Sequence, residues 1–342
     1  MKKMLVLLLC ILLIAGALTS CSVKGDNDGK ISIVTTVFPE YDWVRSIVGD
    51  HGDRVELTLL LDSGADLHSY QPTADDIVKI STCDLFIYVG GESDEWVKDV
   101  LKTAHNPDML VINLMETLGD RVKEEEIKEG MEADHDHEHE HEHEHEVEHD
   151  HDEDEHDHEH EEETEYDEHV WLSLKNAAIL VERIADKIKS LDPENADSYA
   201  SNAAAYVAAL NALDARYEAA VAQAPVKTLL FGDRFPFRYL TDDYGLDYYA
   251  AFVGCSAESE ASFETVVFLA GKVDELGLQS ILQIESSDGR IAETIKQQTR
   301  SKDQTVRTLD SMQSVTAKDV KKGTTYIDIM ESNLDVLIEA LK

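Results

Sequence analysis

The sequence predicts an α/β protein with two lobes, each a parallel sheet flanked by helices, joined by one long rigid connector helix. Three observations support this prediction. Strand-like runs alternate with helix-like segments in both halves of the chain, an alanine-rich stretch without a helix breaker separates the halves, and 342 residues suit two domains with ordinary cores. Alternation of this kind is typical of parallel sheets that helices cover on both faces.

Residues 31–190 are predicted to form the N-terminal lobe. A β-branched run opens it, followed by a turn at Pro39 and by apolar residues at helical spacing. Thr73 is a possible N-cap of a later helix. The further predicted elements, in order, are a strand in RVELTLLL, a helix in TADDIVKIS, a strand in DLFIYVGG, a helix in WVKDVLKTA and a strand in DMLVINL.

The connector is predicted over residues 191–224, after a shorter amphipathic helix that follows Trp171. Asp192 can cap the connector, Pro193 suits its first turn, and about thirty residues rich in alanine then run without a breaker until Pro225. At 1.5 Å per residue such a helix is about 45 Å long. We expect it to be stiff and to limit movement between the lobes.

Residues 225–342 are predicted to form the C-terminal lobe, because strand and helix signals alternate there again. The segments, in order, are a strand in VKTLLFG, a helix in FPFRYLTDDYG, a strand in LDYYAAFVG, a helix in SFETVVFLAGKVDELG, a strand in QSILQIE, a helix in GRIAETIKQQT, a strand in QTVRTLD and a helix over 326–341. The usual ligand site of such a fold is a crevice at the carboxyl ends of the strands, and we expect it between the lobes.

Residues 1–20 are typical of a bacterial lipoprotein signal peptide, because two lysines, a short apolar run and small residues precede Cys21. Cleavage would leave Cys21 as a lipidated N-terminus on the outer face of the cytoplasmic membrane, with residues 21–30 as a flexible tether. The alternative is a plain secretory signal with an incidental cysteine. Cys83 and Cys255 are expected to be unpaired and buried, and a disulfide between them stays open as an alternative.

The charge distribution favours cations as ligands. The formal net charge is −41, and 21 acidic residues lie between Asp134 and Glu168, so about half of the imbalance is local. Nucleic acid is excluded as a partner, because binding to phosphates requires clustered basic side chains.

An insert over about residues 120–167 interrupts the N-terminal lobe. Its histidines and carboxylates alternate, so a strand there would have two charged faces and nothing to bury, and we expect disorder. The HExxH match within it is expected by chance in so repetitive a stretch. We predict an accessory loop that captures zinc or senses its abundance, and the alternative is a solvated acidic loop without necessary function. The predicted accessory ligands are His135, His137, His139, His141, His143, His145, His149, His151, His156, His158 and His160.

Four residues outside the insert are candidates for metal binding. His68 lies between a predicted strand and a helix, and His169 lies at the start of a helix. Glu285 and Asp310 end predicted strands of the second lobe, where side chains point toward the expected crevice. The alternatives are solvated loop histidines and carboxylates that cap helices, and spacing alone does not decide between them.

Over almost its whole length the sequence resembles the ZnuA-like solute-binding lipoproteins of zinc and manganese ABC transporters. The shared landmarks, in order, are the lipobox, VTTVFPEYDWVRSIVGD, GADLHSYQPTADD, DLFIYVGGESDEW, a His/Asp/Glu-rich insert, DEHVWLSLKNA, DPENADSYASNAAAY, RFPFRYLTDDYGL, SAESEASFET and LDSMQSV. The resemblance implies metal ligands at His68, His169 and Asp310. So long a series of motifs is far more specific than any one of them.

One position departs from the family pattern. The family places a third ligand, His or Glu, where this chain has Arg234, and a guanidinium cannot coordinate a cation. The predicted replacements are Asp233 first, then Glu258 or Glu285, or water. Arg234 is alternatively predicted to pair with a ligating carboxylate.

The resemblance implies an extracytoplasmic receptor that binds one Zn²⁺ between the lobes and passes it to an ABC permease and its ATPase. Two imidazoles with carboxylates suit Zn²⁺, and Mn²⁺ is the alternative, because it prefers more oxygen ligands. A surface metal buffer or adhesin is the rival function. We expect a monomer and no enzymatic activity, because no nucleophile and base at a readable spacing accompany these ligands.

Overall fold

A computed structural model of the protein describes residues 29–132, 165–256 and 260–342. Several predicted features lie outside these residues: the signal peptide, the lipidation site Cys21, residues 21–28 of the tether, every insert histidine named above, and Glu258. Within the three described ranges, no helix combines the length and apolar character needed to cross a membrane.

The N-terminal lobe contains a parallel sheet of four strands in the order β2-β1-β3-β4. Its central strand β1 pairs on both edges, with Ile33 opposite Leu57 on one side and Leu85 on the other. The elements are β1 (Ile31–Thr35), α1 (Phe38–Val48), β2 (Val55–Leu59), α2 (Ala74–Thr82), β3 (Leu85–Tyr88), α3 (Val97–Lys102), β4 (Leu110–Asn113) and α4 (Leu114–Leu118). Thr73 caps α2 as predicted, accepting a hydrogen bond from the backbone of Asp76.

The C-terminal lobe repeats this plan, with a parallel sheet in the order β6-β5-β7-β8. The alternation predicted for both halves of the chain is therefore confirmed. The elements are β5 (Thr228–Phe235), α7 (Arg238–Tyr244), β6 (Asp247–Val253), α8 (Phe263–Leu276), β7 (Ser280–Gln283), α9 (Arg290–Gln298), β8 (Thr305–Thr308), α10 (Ala317–Lys322) and α11 (Tyr326–Ala340).

Two helices that pack against each other lie between β4 and β5 in the chain: α5 (Leu174–Leu191) and α6 (Ala196–Gln223). The residues Pro193–Asn195 form a separate 3₁₀ turn, so the long helix begins slightly later than predicted. Its 28 residues correspond to about 42 Å. Asn202 of α6 donates to the carbonyl oxygen of Ile47 in the first lobe, and Tyr217 donates to that of Met330 in the second. The helix is thus fixed to both lobes.

Buried hydrogen bonds also join the lobes directly. Trp171 Nε1 donates to the carbonyl oxygen of Ser311 at 2.9 Å, and Tyr326 Oη donates to the carbonyl oxygen of Trp171 at 2.7 Å. The backbone amide of Tyr326 donates in turn to Asp42 Oδ2 at 2.9 Å. All of these side chains belong to or border one continuous apolar core that spans both lobes. Separating the lobes would expose this core and break these bonds.

Two local expectations were wrong. β5 continues past the predicted end of the strand, because Arg234 and Phe235 still pair with β6 after an irregularity, so Phe235 lies in a strand and not in the predicted helix. Cys83 and Cys255 are both free, as predicted, but Cys255 is partly exposed, because it lies in the turn that follows β6.

Candidate metal centre

His68 lies on a short 3₁₀ turn, Leu67–Ser69, in the connection that follows β2. Asp66 caps this turn, because its Oδ1 accepts from the backbone amide of His68 at 3.0 Å, and the buried Leu67 fixes the turn to the core. The Nδ1 atom of His68 contacts Ser93 Oγ at 2.8 Å and lies 3.5 Å from Glu168 Oε2. Nδ1 is therefore held on the protein side, and Nε2 points away from these contacts.

His169 immediately precedes the 3₁₀ turn Val170–Leu172 and has no solvent exposure. Asp167 Oδ1 accepts from the backbone amide of His169 at 2.8 Å and from its Nδ1 at 3.0 Å. A carboxylate bound to one imidazole nitrogen fixes the ring orientation and leaves the other nitrogen free to coordinate. The Nε2 atom of His169 is therefore the coordinating atom that this arrangement presents.

The two Nε2 atoms face each other at 3.3 Å. Two nitrogens bound to one tetrahedral Zn²⁺ at about 2.0–2.1 Å would be about 3.3–3.4 Å apart. Burial and the neighbouring His169 lower the pKa of His68 to about 3, so that ring is neutral. Burial also acts to lower the pKa of His169, but the carboxylates of Asp167, Glu168 and Asp66 together outweigh it and the pKa is raised. The structure thus brings together the two histidines predicted as ligands, at the separation one metal ion requires.

Arg234 cannot coordinate a cation and instead forms an ion pair with Asp66. Its Nη2 atom lies 2.6 Å from Asp66 Oδ2. Its Nη1 donates to the carbonyl oxygen of Ser256 at 3.2 Å. The prediction was a pairing with a ligating carboxylate, whereas the observed partner, Asp66, caps the turn that carries His68. Arg234 therefore connects three segments around the centre without coordinating anything itself.

Asp233 lies beside the same crevice, where a cavity of about 380 Å³ has both Asp233 and His68 in its wall. Its Oδ1 accepts from the backbone amide of Arg234 at 2.8 Å, and its Oδ2 accepts from that of Ile284 at 3.4 Å. Both oxygens are thus bound to backbone, and Asp233 is largely buried. Asp233 thus shares a cavity wall with His68, but both of its carboxylate oxygens already accept hydrogen bonds from the backbone.

Glu285 and Asp310 are placed elsewhere. Glu285 accepts from the backbone amides of Ser311 at 2.8 Å and Gln313 at 3.1 Å, so it holds the loop after β8. Asp310 accepts from the backbone amide of Met312 at 2.8 Å and lines a different cavity, next to Asn333. Burial and the nearby Glu285 raise the pKa of Asp310 to about 7. These carboxylates satisfy backbone donors where the chain turns after a strand, and neither belongs to the group of described ligand atoms that contains His68 and His169.

Cys255 is a neighbour of the histidines that the sequence analysis did not select. Among the described His, Cys, Asp and Glu residues, one group of three has ligand atoms all within 4.8 Å of one another, and it consists of His68, His169 and Cys255. A signal was present in the sequence, because Cys255 follows a predicted strand and so lies at the carboxyl edge of the sheet. We read it only as a question of disulfide pairing.

An acidic cavity of about 240 Å³ opens beside this group, with His68, Glu125, Glu168 and Cys255 in its wall. Glu168 is almost fully buried, and among the described residues its Oε2 has no hydrogen-bond partner. Clefts lined by charge of one sign concentrate the opposite charge. This cavity therefore favours the presence of a cation beside His68.

Comparisons with known proteins agree with this geometry. The family described as "ZnuA: Zinc-uptake complex component A periplasmic" matches residues 33–340. The chain is 33% identical over 345 residues to the zinc-binding lipoprotein AdcA of Streptococcus pneumoniae, covering 98% of this chain and 60% of AdcA. It is 31% identical over 335 residues to the high-affinity zinc uptake system protein ZnuA of Bacillus subtilis, covering 97% of this chain and 95% of that protein.

A solved structure, the Zn(II)-bound ZnuA-like domain of S. pneumoniae AdcA, superposes with a TM-score of 0.67 at 28% identity and covers 92% of this chain and 99% of that domain. The chain spans about 60% of the length of the AdcA relatives, so it corresponds to their ZnuA-like part. The family match extends over nearly the whole described structure, including both histidines of the centre. The chain belongs to the ZnuA family of zinc-uptake components.

Proposed function

We propose that this protein captures one Zn²⁺ ion in the crevice between its lobes and delivers it to an ABC permease driven by an ATPase. The observation that carries the proposal is the pair His68 and His169, whose Nε2 atoms face each other at 3.3 Å while both Nδ1 atoms are held by protein groups. A site that orients two imidazoles in this way is organised for a cation before the cation arrives.

Zinc is the cargo that the donor set favours. Imidazole nitrogens suit Zn²⁺, whereas Mn²⁺ prefers carboxylate, carbonyl and water oxygens. The names of the S. pneumoniae and B. subtilis relatives both refer to zinc. The structure of the similar AdcA domain was solved with Zn(II) bound. The predicted carboxylate ligands already accept hydrogen bonds from backbone amides, Asp310 through Oδ1 and Asp233 through both oxygens.

The location and partners follow from the same proposal. The family is a component of a zinc-uptake complex, which requires a membrane permease as the recipient of the ion. A lipid on Cys21 would keep the receptor at the outer face of the cytoplasmic membrane, close to that permease. Binding and release, without chemical change of the ion, constitute the whole activity, so we propose a transport receptor and not an enzyme.

The insert histidines supply an accessory store of weakly bound zinc in this proposal. Alternating imidazoles and carboxylates can hold several metal ions, each more weakly than the central site does. Deleting residues 134–163 tests this role. We expect the deletion to remove the weak sites and to leave the one tight site, whereas loss of the tight site would place it in the insert.

Calorimetric titration of zinc into the chain without residues 134–163 tests the central proposal. We expect one tight site in this chain and a loss of affinity well above 100-fold in His68→Ala, His169→Ala and the double variant, since even residues behind the ligands contribute 10–100-fold. His51→Ala is the matched control, because His51 contacts Ser198 and lies on a different part of the fold. Unchanged tight binding in the double variant would refute the proposed function.

Growth under zinc limitation separates transport from surface buffering. A chromosomal deletion of this protein should raise the zinc requirement for growth, and the native chain should restore it only when the permease is present. Restoration without a permease would favour a metal buffer instead.

A further inference from the structure

The metal centre lacks a ligand at the position where the family resemblance implies one. Structural and transport zinc sites use about four ligands, and two imidazoles supply half of them. Arg234 occupies the expected third position, and it is bound to Asp66 and to the carbonyl oxygen of Ser256. Since a guanidinium stays charged and has no acceptor atom, another residue must complete the protein part of the shell.

Cys255 is the residue that the structure places there. The Sγ atom of Cys255 and one nitrogen of each histidine lie within 4.8 Å of one another. With Zn–N bonds of about 2.0–2.1 Å and a Zn–S bond of about 2.3 Å, a tetrahedral ion would bring nitrogen and sulfur about 3.6 Å apart. The two Nε2 atoms already have the required separation, and the sulfur lies within 4.8 Å of a nitrogen of each ring, so a short movement of the cysteine loop would complete the set.

The turn that carries Cys255 is fixed on both sides. Gly254 lies directly against His169, because a Cβ atom at residue 254 would be 3.1 Å from Cε1 and 3.2 Å from Nδ1 of that ring. The backbone amide of Cys255 donates to Glu125 Oε1 at 3.0 Å. Arg234 binds the carbonyl oxygen of the next residue, Ser256. A residue without a side chain thus permits the close approach, and two charged side chains hold it.

We infer that the thiolate of Cys255 is the third protein ligand of the metal centre, with Arg234 as the positioning residue that holds its loop. This inference rests on the proposed function, because it assigns a ligand to the same ion. When the ion binds, the metal–sulfur bond forms, the S–H bond breaks and the proton leaves to solvent. A cavity lined by His68, Glu125, Glu168 and Cys255 adjoins these residues, and water or a carboxylate oxygen from it would complete the shell.

A sulfur ligand changes which ions the site prefers. Thiolates favour Zn²⁺ and other soft or borderline ions such as Cd²⁺, and they are poor ligands for Mn²⁺. Arg234 in place of the family's His or Glu ligand therefore does not shift the preference of this centre toward manganese. The chain instead exchanges one zinc-type ligand for another that excludes manganese more strongly.

Cobalt substitution tests the ligand directly. Adding one equivalent of Co²⁺ to the full chain should produce the near-ultraviolet thiolate-to-cobalt charge-transfer band and the intense visible bands of tetrahedral Co²⁺. Cys255→Ser should abolish the charge-transfer band and weaken zinc binding by about 10–100-fold or more. The insert between residues 134 and 163 contains no cysteine, so cobalt bound there cannot produce this band.

Cys83→Ser is the matched control, because Cys83 is a second free and fully buried cysteine whose Sγ contacts the carbonyl oxygen of Ile80 and the sulfur of Met109. It should keep the band. Cys255→Ala and a thermal melt of the metal-free variants check that loss of the band reflects loss of the ligand and not of the fold. A band that persists in both Cys255 variants would overturn the inference.

The outcomes also separate this inference from the proposed function. If one tight site depends on both histidines but the native chain shows no charge-transfer band, the cysteine assignment fails and the receptor function stands. If tight binding is indifferent to the histidines, the proposed site itself fails, whatever the spectrum shows.

Discussion

Arg234 and Asp66 form an ion pair across the crevice, with 2.6 Å between Nη2 and Oδ2, and it links the end of a C-lobe strand to the turn that carries His68. The Arg234 and Asp66 side chains are 14% and 23% exposed, so the pair is mostly shielded from solvent. It places a positive charge close to a cation site. We infer that the ion pair serves to position the site, because it holds two ligand-bearing segments in place at once.

Replacing Arg234 by methionine should destabilise the metal-free protein. The change leaves the Asp66 carboxylate partly buried without its partner, which costs about 1–3 kcal/mol of unfolding free energy. Arg216→Met is the control, since Arg216 pairs with Glu331 on the surface and such pairs contribute about 0–1 kcal/mol. Urea unfolding at neutral pH measures both variants. Equal losses in the two variants would contradict a special role for the crevice pair.

Asp167→Asn should weaken zinc binding by about 10–100-fold. The carboxylate accepts from Nδ1 of His169, whereas an amide can donate to that nitrogen and so favour the ring tautomer that carries its proton on Nε2. The coordinating nitrogen would then be blocked. Calorimetry with zinc measures the effect, and Asp186→Asn, which alters an exposed residue of α5 paired with Lys189, serves as control. Native affinity in Asp167→Asn would show that Asp167 does not set the tautomer.

Glu40→Gln should flatten the dependence of stability on pH. Burial, and secondarily the charge of Asp94, raise the pKa of Glu40 from 4.5 to about 8. Between these values the folded state holds a proton that the unfolded chain has released. The stabilisation is therefore complete below about pH 4.5 and is lost as pH rises through about 8.

Glutamine keeps an acceptor for the amides of Thr36 and Val37 but does not titrate. The native protein should lose at least about 1 kcal/mol more than Glu40→Gln between pH 4.5 and 8.5, since one pKa unit corresponds to 1.36 kcal/mol. Urea unfolding across this range measures the difference. The exposed Glu182→Gln variant should follow the native profile. A steeper profile in Glu40→Gln would reverse the assignment.

Zinc binding should change the radius of gyration by no more than experimental error. Helix α6 is bonded to both lobes, and Trp171, Ser311 and Tyr326 join them through buried hydrogen bonds. Wide closure would break these bonds and open the shared core. Small-angle scattering of the metal-free and zinc-loaded chain checks this expectation. A large decrease in radius on loading would mean that the lobes hinge.

The sequence was sufficient to predict the fold, because every level of its pattern agreed. Alternating strands and helices, the cap at Thr73 and the unbroken alanine-rich stretch each predict a local structure, and these local structures fit one architecture. The exact start of α6 was missed, because Pro193 begins a 3₁₀ turn where we expected the long helix to start.

The site was predicted only in part. His68 and His169 could be selected because each lies beside a recognisable motif. The binding partners of Glu285 and Asp310 could not be predicted from the sequence. A carboxylate after a strand can bind a metal or accept from the backbone amides of the following loop equally well. Here both accept from that loop, at Ser311 and Met312. The approach of Cys255 depends on how β5 and β6 pair, and no local pattern reports that pairing.

Each of the three groups that converge on the centre belongs to a connection and not to a regular element: His68 to a turn after β2, His169 to the approach to α5, and Cys255 to the turn after β6. The sheets and long helices contribute no coordinating atom in this arrangement. Exchanging a coordinating residue in one of these turns can therefore change which ion the site prefers while the hydrogen bonds of the sheets and long helices stay in place. Ion preference and the regular framework of the fold thus depend on different residues of this chain.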